Sequence, residues 1–148
     1  MNKMTITEQV STKKYPGERK EENLDYMLNG SVQGKDSIAY DKGSDIMWNG
    51  IGISAKSSHF TLMSAKLAKG ETMAEQLDFY FATVHSTVFA YITEEDDVYM
   101  MNAVEFREFL EVFCHMERES SKNGGGWKVR CRAESKKMLK WFEIRLNG

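Results

Sequence analysis

The sequence predicts an α/β domain in which a mixed β-sheet is flanked by helices, and three features of its pattern carry that expectation. Short runs of β-branched and aromatic residues, such as 87–92 and 127–131, alternate with longer stretches whose apolar residues recur at helical spacing, such as 71–84 and 135–146. Some strand-like runs are joined by tight-turn signals and others by a stretch long enough for a crossover helix, the combination a mixed sheet needs. The chain has 148 residues, of which 41% are hydrophobic and 11% aromatic, enough to bury one core. That composition excludes disorder, and two cysteines exclude a disulfide framework.

Taken in order, residues 1–14 are rich in Thr, Lys and Ser without an apolar period and are expected to form a flexible arm, with a single domain over 15–148. Pro16 suits a helix entry. Glu18, Glu21 and Glu22 fall where the first-turn dipole favours acids, Leu24, Met27 and Leu28 give a stripe, and Asn29-Gly30 stops it, so a helix is expected over about 17–28. Ile38 and Tyr40 mark a short strand. Asp45 to Trp48 and Ile51 to Lys56 flank Asn49-Gly50, the strongest two-residue hairpin signal. Trp48 at its tip is either core or a contact surface.

Residues 71–84 carry Met73, Leu77 and Tyr80 or Phe81 on one helical face and lead into a buried strand at 87–92. Glu94 to Asp97 turns the chain into Val98 to Met101, and Asn102 caps a helix that contains Val104, Phe106, Phe109, Leu110, Phe113 and Cys114. A Gly-rich connector over 120–126 precedes a strand with Trp127, Val129 and Cys131 on one face and Lys128, Arg130 and Arg132 on the other. The last helix, 135–146, turns Met138, Leu139, Phe142 and Leu146 inward and Lys136, Lys137, Lys140 and Arg145 outward.

Several function classes drop out. The longest apolar stretch, 79–92, is interrupted by polar residues and is shorter than the roughly 20 residues a bilayer needs, so no membrane span is expected. Residues 1–7 carry no apolar leader, which makes the cytoplasm the expected location. Cys114 and Cys131 lack zinc or redox spacing and read as buried structural thiols; His59, His85 and His115 lack partner ligands, and no phosphate-binding glycine loop is present. The net charge of −2 divides unevenly, with +2 over 1–70, −10 over 71–120 and +6 over 121–148. A basic end on an acidic body permits a polyanion partner.

The pair that carries chemistry is Asp45, opening one hairpin strand, and Lys56, near the end of the next, which pairing brings to the same end of the sheet. A carboxylate there can hold a divalent ion, and an ammonium beside it can orient a water and offset charge on a phosphorane-like transition state. With Gly17-Glu18-Arg19 opening the first helix, Gly43-Ser44-Asp45-Ile46 opening a strand and Ser54-Ala55-Lys56-Ser57 closing the next, the chain resembles the PD-(D/E)XK nuclease superfamily, and within it the archaeal-type Holliday junction resolvases. The resemblance covers about residues 16–92. It implies a restriction-endonuclease-like fold built on an α-β-β-β-α-β core, Glu18, Asp45 and Lys56 as catalytic positions, Mg2+ or Mn2+ as cofactor, DNA as substrate and a homodimer.

Ser54 stands where that superfamily has a carboxylate two residues before the Lys. Either Glu71 or Glu75 on the following helix supplies the missing metal ligand beside Asp45, as in restriction enzymes of the superfamily that carry Ser-x-Lys, or the scaffold binds DNA or protein without cutting, as an accessory protein of a mobile element would. Lys128, Arg130, Arg132, Lys136, Lys137 and Lys140 are the candidate DNA contacts, with Lys13, Lys14, Arg19 and Lys20 as a second set. A plain interaction domain whose acidic middle segment meets a basic partner is the remaining alternative.

Overall fold

A computed structural model describes residues 2–5, 31–32, 45–57, 59–62, 72–118, 126–132 and 134–147. The expected helix over 17–28, the strand around Ile38 and Tyr40 and most of the connector over 120–126 lie outside them. The described residues form a mixed α/β structure in two compact units, Met1–Ser58 with Val84–Ala103 and Gly148, and His59–Thr83 with Val104–Asn147.

The first unit is built on a six-stranded sheet in the order β1-β7-β6-β4-β3-β2. Its strands are β1 (Asn2–Thr5), β2 (Ser31–Val32), β3 (Ile46–Trp48), β4 (Ile51–Ser57), β6 (Val88–Ile92) and β7 (Asp97–Met101). The hairpin between β3 and β4 turns where the sequence places it, because Asn49 and Gly50 both adopt left-handed backbone, with φ of 48° and 78°, as a two-residue type I′ turn requires. The β4–β6 pair is parallel and every other pair is antiparallel. A parallel pair needs a long connection, and the chain between β4 and β6 includes a helix in the second unit.

Alternation along these strands sends Ile46, Ile53, Ala55, Ala90, Ile92 and Val98 into one buried cluster, against which Met4, Trp48, Val88 and Met100 pack. Trp48 is therefore half-buried core at the hairpin tip. Between β6 and β7, Asp96 takes a positive φ of 63°, and the turn is closed by Thr93 N–H on Asp97 O at 2.8 Å and Asp97 N–H on Thr93 Oγ1 at 3.1 Å. Asp tolerates this backbone better than most residues.

One expectation fails here. Residues 2–5 lie in the stretch read as an arm, yet they form β1, paired with β7 from Asn2↔Met100 to Thr5↔Asp97. Thr5 donates to Asp97 Oδ1 at 2.6 Å, and Lys3 Nζ sits 3.4 Å from Asp97 Oδ2 and 5.5 Å from the Tyr99 ring. An edge strand with one apolar side chain, Met4, shows no period, so only its partner reveals it.

The second unit holds β5 (Phe60–Thr61), α1 (Met73–Thr83), α2 (Ala103–Phe113), β8 (Cys114–Arg118), β9 (Trp127–Cys131) and α3 (Ser135–Asn147). Its strands form a separate three-stranded antiparallel sheet in the order β5-β9-β8. The single mixed sheet expected from the sequence is thus two sheets. Cys114 also moves: α2 ends at Phe113 and the chain continues directly as β8, so this cysteine lies in a strand.

The core of this unit is aromatic. Phe109 is fully buried, with the rings of Phe60, Phe106, Phe113, Trp141 and Phe142 between 5.1 and 6.4 Å away. Trp141 replaces two expected core residues, since α3 buries Met138, Trp141 and Phe142 while Leu139 is half-buried and Leu146 is exposed. Val104 is exposed as well, because α2 turns Phe106, Phe109 and Leu110 inward and its first turn lies on the solvent side.

Candidate functional site

The β3–β4 hairpin sets the geometry of the Asp45–Lys56 pair. Its register pairs Ile46 with Ile53, which puts Asp45, one residue beyond the ladder, opposite Ser54. Asp45 N–H donates to Ile53 O at 2.8 Å, and Asp45 Oδ2 accepts the Ala55 N–H at 2.8 Å. Both bonds fix the carboxylate at the strand end. Side chains alternate along β4, so Ser54 and Lys56 share the face opposite the Ile46–Val98 cluster, alongside their parallel neighbours Phe89 and Tyr91 on β6.

The Lys56 charge acts on the Asp45 carboxyl. Burial pushes the Asp45 carboxyl above the usual carboxylate range, while the Lys56 ammonium and the Ala55 amide pull the other way and do not overcome it. A partly desolvated carboxylate under the influence of an ammonium charge is an arrangement common at catalytic centres.

Ser54 is buried, and its Oγ lies 2.9 Å from Ser86 Oγ just before β6. The position that would carry a carboxylate in the resembled superfamily is here a neutral hydroxyl in a hydroxyl–hydroxyl bond. Glu71 and Glu18 lie outside the described residues. Glu75, in the second unit, sits in the first turn of α1, which Thr72 caps: the Glu75 N–H donates to Thr72 Oγ1 at 3.2 Å, and the Thr72 hydroxyl donates to Glu75 Oε1 at 3.0 Å. Thr72-Met73-Ala74-Glu75 has the sequence pattern of a capping box. Among the described residues, no three His, Cys, Asp or Glu side chains gather as a metal site.

Of the candidate DNA contacts, Lys13, Lys14, Arg19 and Lys20 lie outside the described residues, and those in the second unit fall into two groups. Lys136, Lys137 and Lys140 are exposed on α3. On β9 the cations face Glu117 of β8, a neighbour the sequence did not reveal because β8 itself was not foreseen. Arg132 donates to Glu117 Oε1 at 2.8 Å and to Oε2 at 3.4 Å, Arg130 Nε lies 3.8 Å from Oε2, and Lys128 is its register partner. Arg130 also donates to Thr61 Oγ1 at 3.2 Å. The Arg132 hydrogen bond, then that of His115 at 2.9 Å, holds the Glu117 carboxyl down to about 2.

No family profile, no curated protein and no solved structure matches this chain. Among the described residues, no helix is long and apolar enough to cross a membrane.

Proposed function

We propose that the chain is a divalent-metal-dependent DNA nuclease of the restriction-endonuclease-like type, with Asp45 and Lys56 at its centre. The observation that carries this reading is that Asp45 and Lys56 lie on one face at one end of β3 and β4, near enough for the Lys56 charge to act on the Asp45 carboxyl, beside a strand, β6, that pairs parallel with β4. Antiparallel β2, β3 and β4, then β5 of the other sheet, a helix and β6 carry the β-β-β-α-β part of the order that the resemblance implies with one strand inserted.

The residues fit a hard divalent ion. Asp45 offers carboxylate oxygen, the donor Mg2+ takes, and Mg2+ commonly completes its shell with waters and substrate phosphate oxygens rather than with an all-protein cage. Asp45 would hold such an ion, whose chemistry is to polarise a phosphate oxygen and acidify a bound water. The Lys56 ammonium orients the attacking water and offsets the charge that builds on the phosphate as the P–O bond breaks. Lys136, Lys137 and Lys140 bind backbone phosphates without reading bases. A homodimer places one such site against each strand of a duplex or branch.

The test is cleavage of duplex and four-way-junction DNA in Mn2+ or Mg2+ by the full chain, with Asp45→Asn and Lys56→Met as folded controls by circular dichroism. Metal-dependent cutting that both substitutions abolish supports the reading. Cutting that survives both, or the absence of Mn2+ binding by calorimetry in the wild-type chain, overturns it. The Ser54–Ser86 bond favours a second reading, a scaffold that binds DNA and does not cut; it predicts salt-dependent DNA affinity with no metal requirement.

A further inference from the structure

We propose that Cys114 and Cys131 are a reversible dithiol–disulfide pair, a modification site whose co-reactant is a low-molecular-weight disulfide. They are 17 positions apart in sequence and are the only two cysteines of the chain. The β8–β9 register makes them direct cross-strand partners. Directly opposed residues in an antiparallel pair have Cα atoms about 4.5–5.5 Å apart, inside the window that a disulfide spans without backbone movement. The Cys131 side chain is also the largest influence on the Cys114 thiol, in keeping with their placement across the ladder.

Exposure assigns the order of events. Cys131 is fully buried and Cys114 is half-buried, so an incoming disulfide meets Cys114 first. The Cys114 thiolate attacks one sulfur of the small disulfide; that S–S bond breaks and the first small thiolate leaves. The Cys131 thiolate then attacks the Cys114 sulfur of the mixed disulfide and displaces the second. Two protein thiols are oxidised, one small disulfide is reduced to two thiols, and both protons end on the products. The hydrogen bond to Cys131, together with burial, pushes the Cys114 thiol above its usual range. Attack through a minor thiolate population is slow at neutral pH and accelerates about tenfold per pH unit. The bond ties β8 to β9 beside the contact between Glu117 and Arg132.

The experiment incubates the full chain with glutathione disulfide at pH 7, 8 and 9 and follows intact mass under denaturing, non-reducing conditions. The expected product is a single-chain mass lower by two hydrogens with no glutathione attached, forming faster at each higher pH. Its non-reduced tryptic digest joins peptide 108–118 to 131–132, and dithiothreitol reverses both changes. The oxidised chain melts at a higher temperature than the reduced one. A Cys131→Ser variant, lacking the resolving thiol, keeps one glutathione on Cys114. A wild-type chain whose two thiols still alkylate after unfolding at the end of the pH 9 incubation overturns the proposal. So does a persistent glutathione adduct or a covalent dimer as the main wild-type product.

Discussion

Replacing Asp45 with Asn and with Ala separates the two forces acting on that carboxylate. In the Ala variant the Ala55 N–H, 2.8 Å from Asp45 Oδ2 in the wild type, loses its acceptor at a partly buried strand end. Leaving a buried donor unmade costs about 1–3 kcal/mol. The Asn variant keeps an oxygen in that place and removes the charge. Ala is therefore less stable than Asn by about 1–2 kcal/mol, at the lower end because the strand terminus is not fully sealed from water. The pH dependence follows from burial raising the folded carboxyl above its usual value of 3.8. Over the window from 3.8 up to the raised folded value, the folded chain holds a proton that the unfolded chain has released, so stability falls as pH rises through it. Above the window the deficit stays constant. The Asn variant has no such deficit. Relative to wild type it gains stability between pH 3 and 7, while losing any metal-dependent activity, the trade-off expected of a residue kept for function. Urea unfolding of the three proteins at pH 3, 5 and 7, with equal m-values, measures this. An Asn-minus-wild-type difference that shrinks or reverses toward pH 7 would mean that the ionised Asp45–Lys56 pair is net stabilising, and would refute the reasoning.

Three further outcomes are expected. Phe109→Ala removes the ring at the centre of the aromatic cluster and costs the second unit about 3–5 kcal/mol, read as a lower urea midpoint with the loss of near-ultraviolet circular dichroism. Glu117→Gln releases Arg132 and Arg130 from their carboxylate and tightens binding of duplex DNA at low salt; the pairing it removes is fully present above pH 4.5 and is lost as pH falls toward about 2, so the variant and wild type converge in stability at acid pH. Replacing Lys136, Lys137 and Lys140 together with Gln lowers the slope of log affinity against log salt by about 3 in magnitude if all three meet phosphates, measured by fluorescence anisotropy on a labelled duplex. An unchanged slope removes α3 from the DNA contact.

What the sequence alone determined was local. The Asn49-Gly50 turn needs two left-handed residues in succession, and few other pairs supply them, so the β3–β4 hairpin and with it the placement of Asp45 and Lys56 at one end of the sheet were legible from a dozen residues. The apolar periods of α1, α2 and α3 and the alternation of β9 were legible for the same reason, each being written within one element. Only the tertiary structure decided the rest. β1 is a strand because β7, more than 90 positions away, offers an edge to pair with, and β8 is a strand because β9 folds back beside it, although Cys114 to Arg118 shows no period of its own. From that second pairing came the two things sequence reading missed: Glu117 among the β9 cations, and Cys114 directly across from Cys131. The Thr72 cap of α1 was in the sequence and went unread. Main-chain pairing between distant segments accepts almost any side chain, so a strand that relies on it leaves little trace in its own residues until its partner is in place.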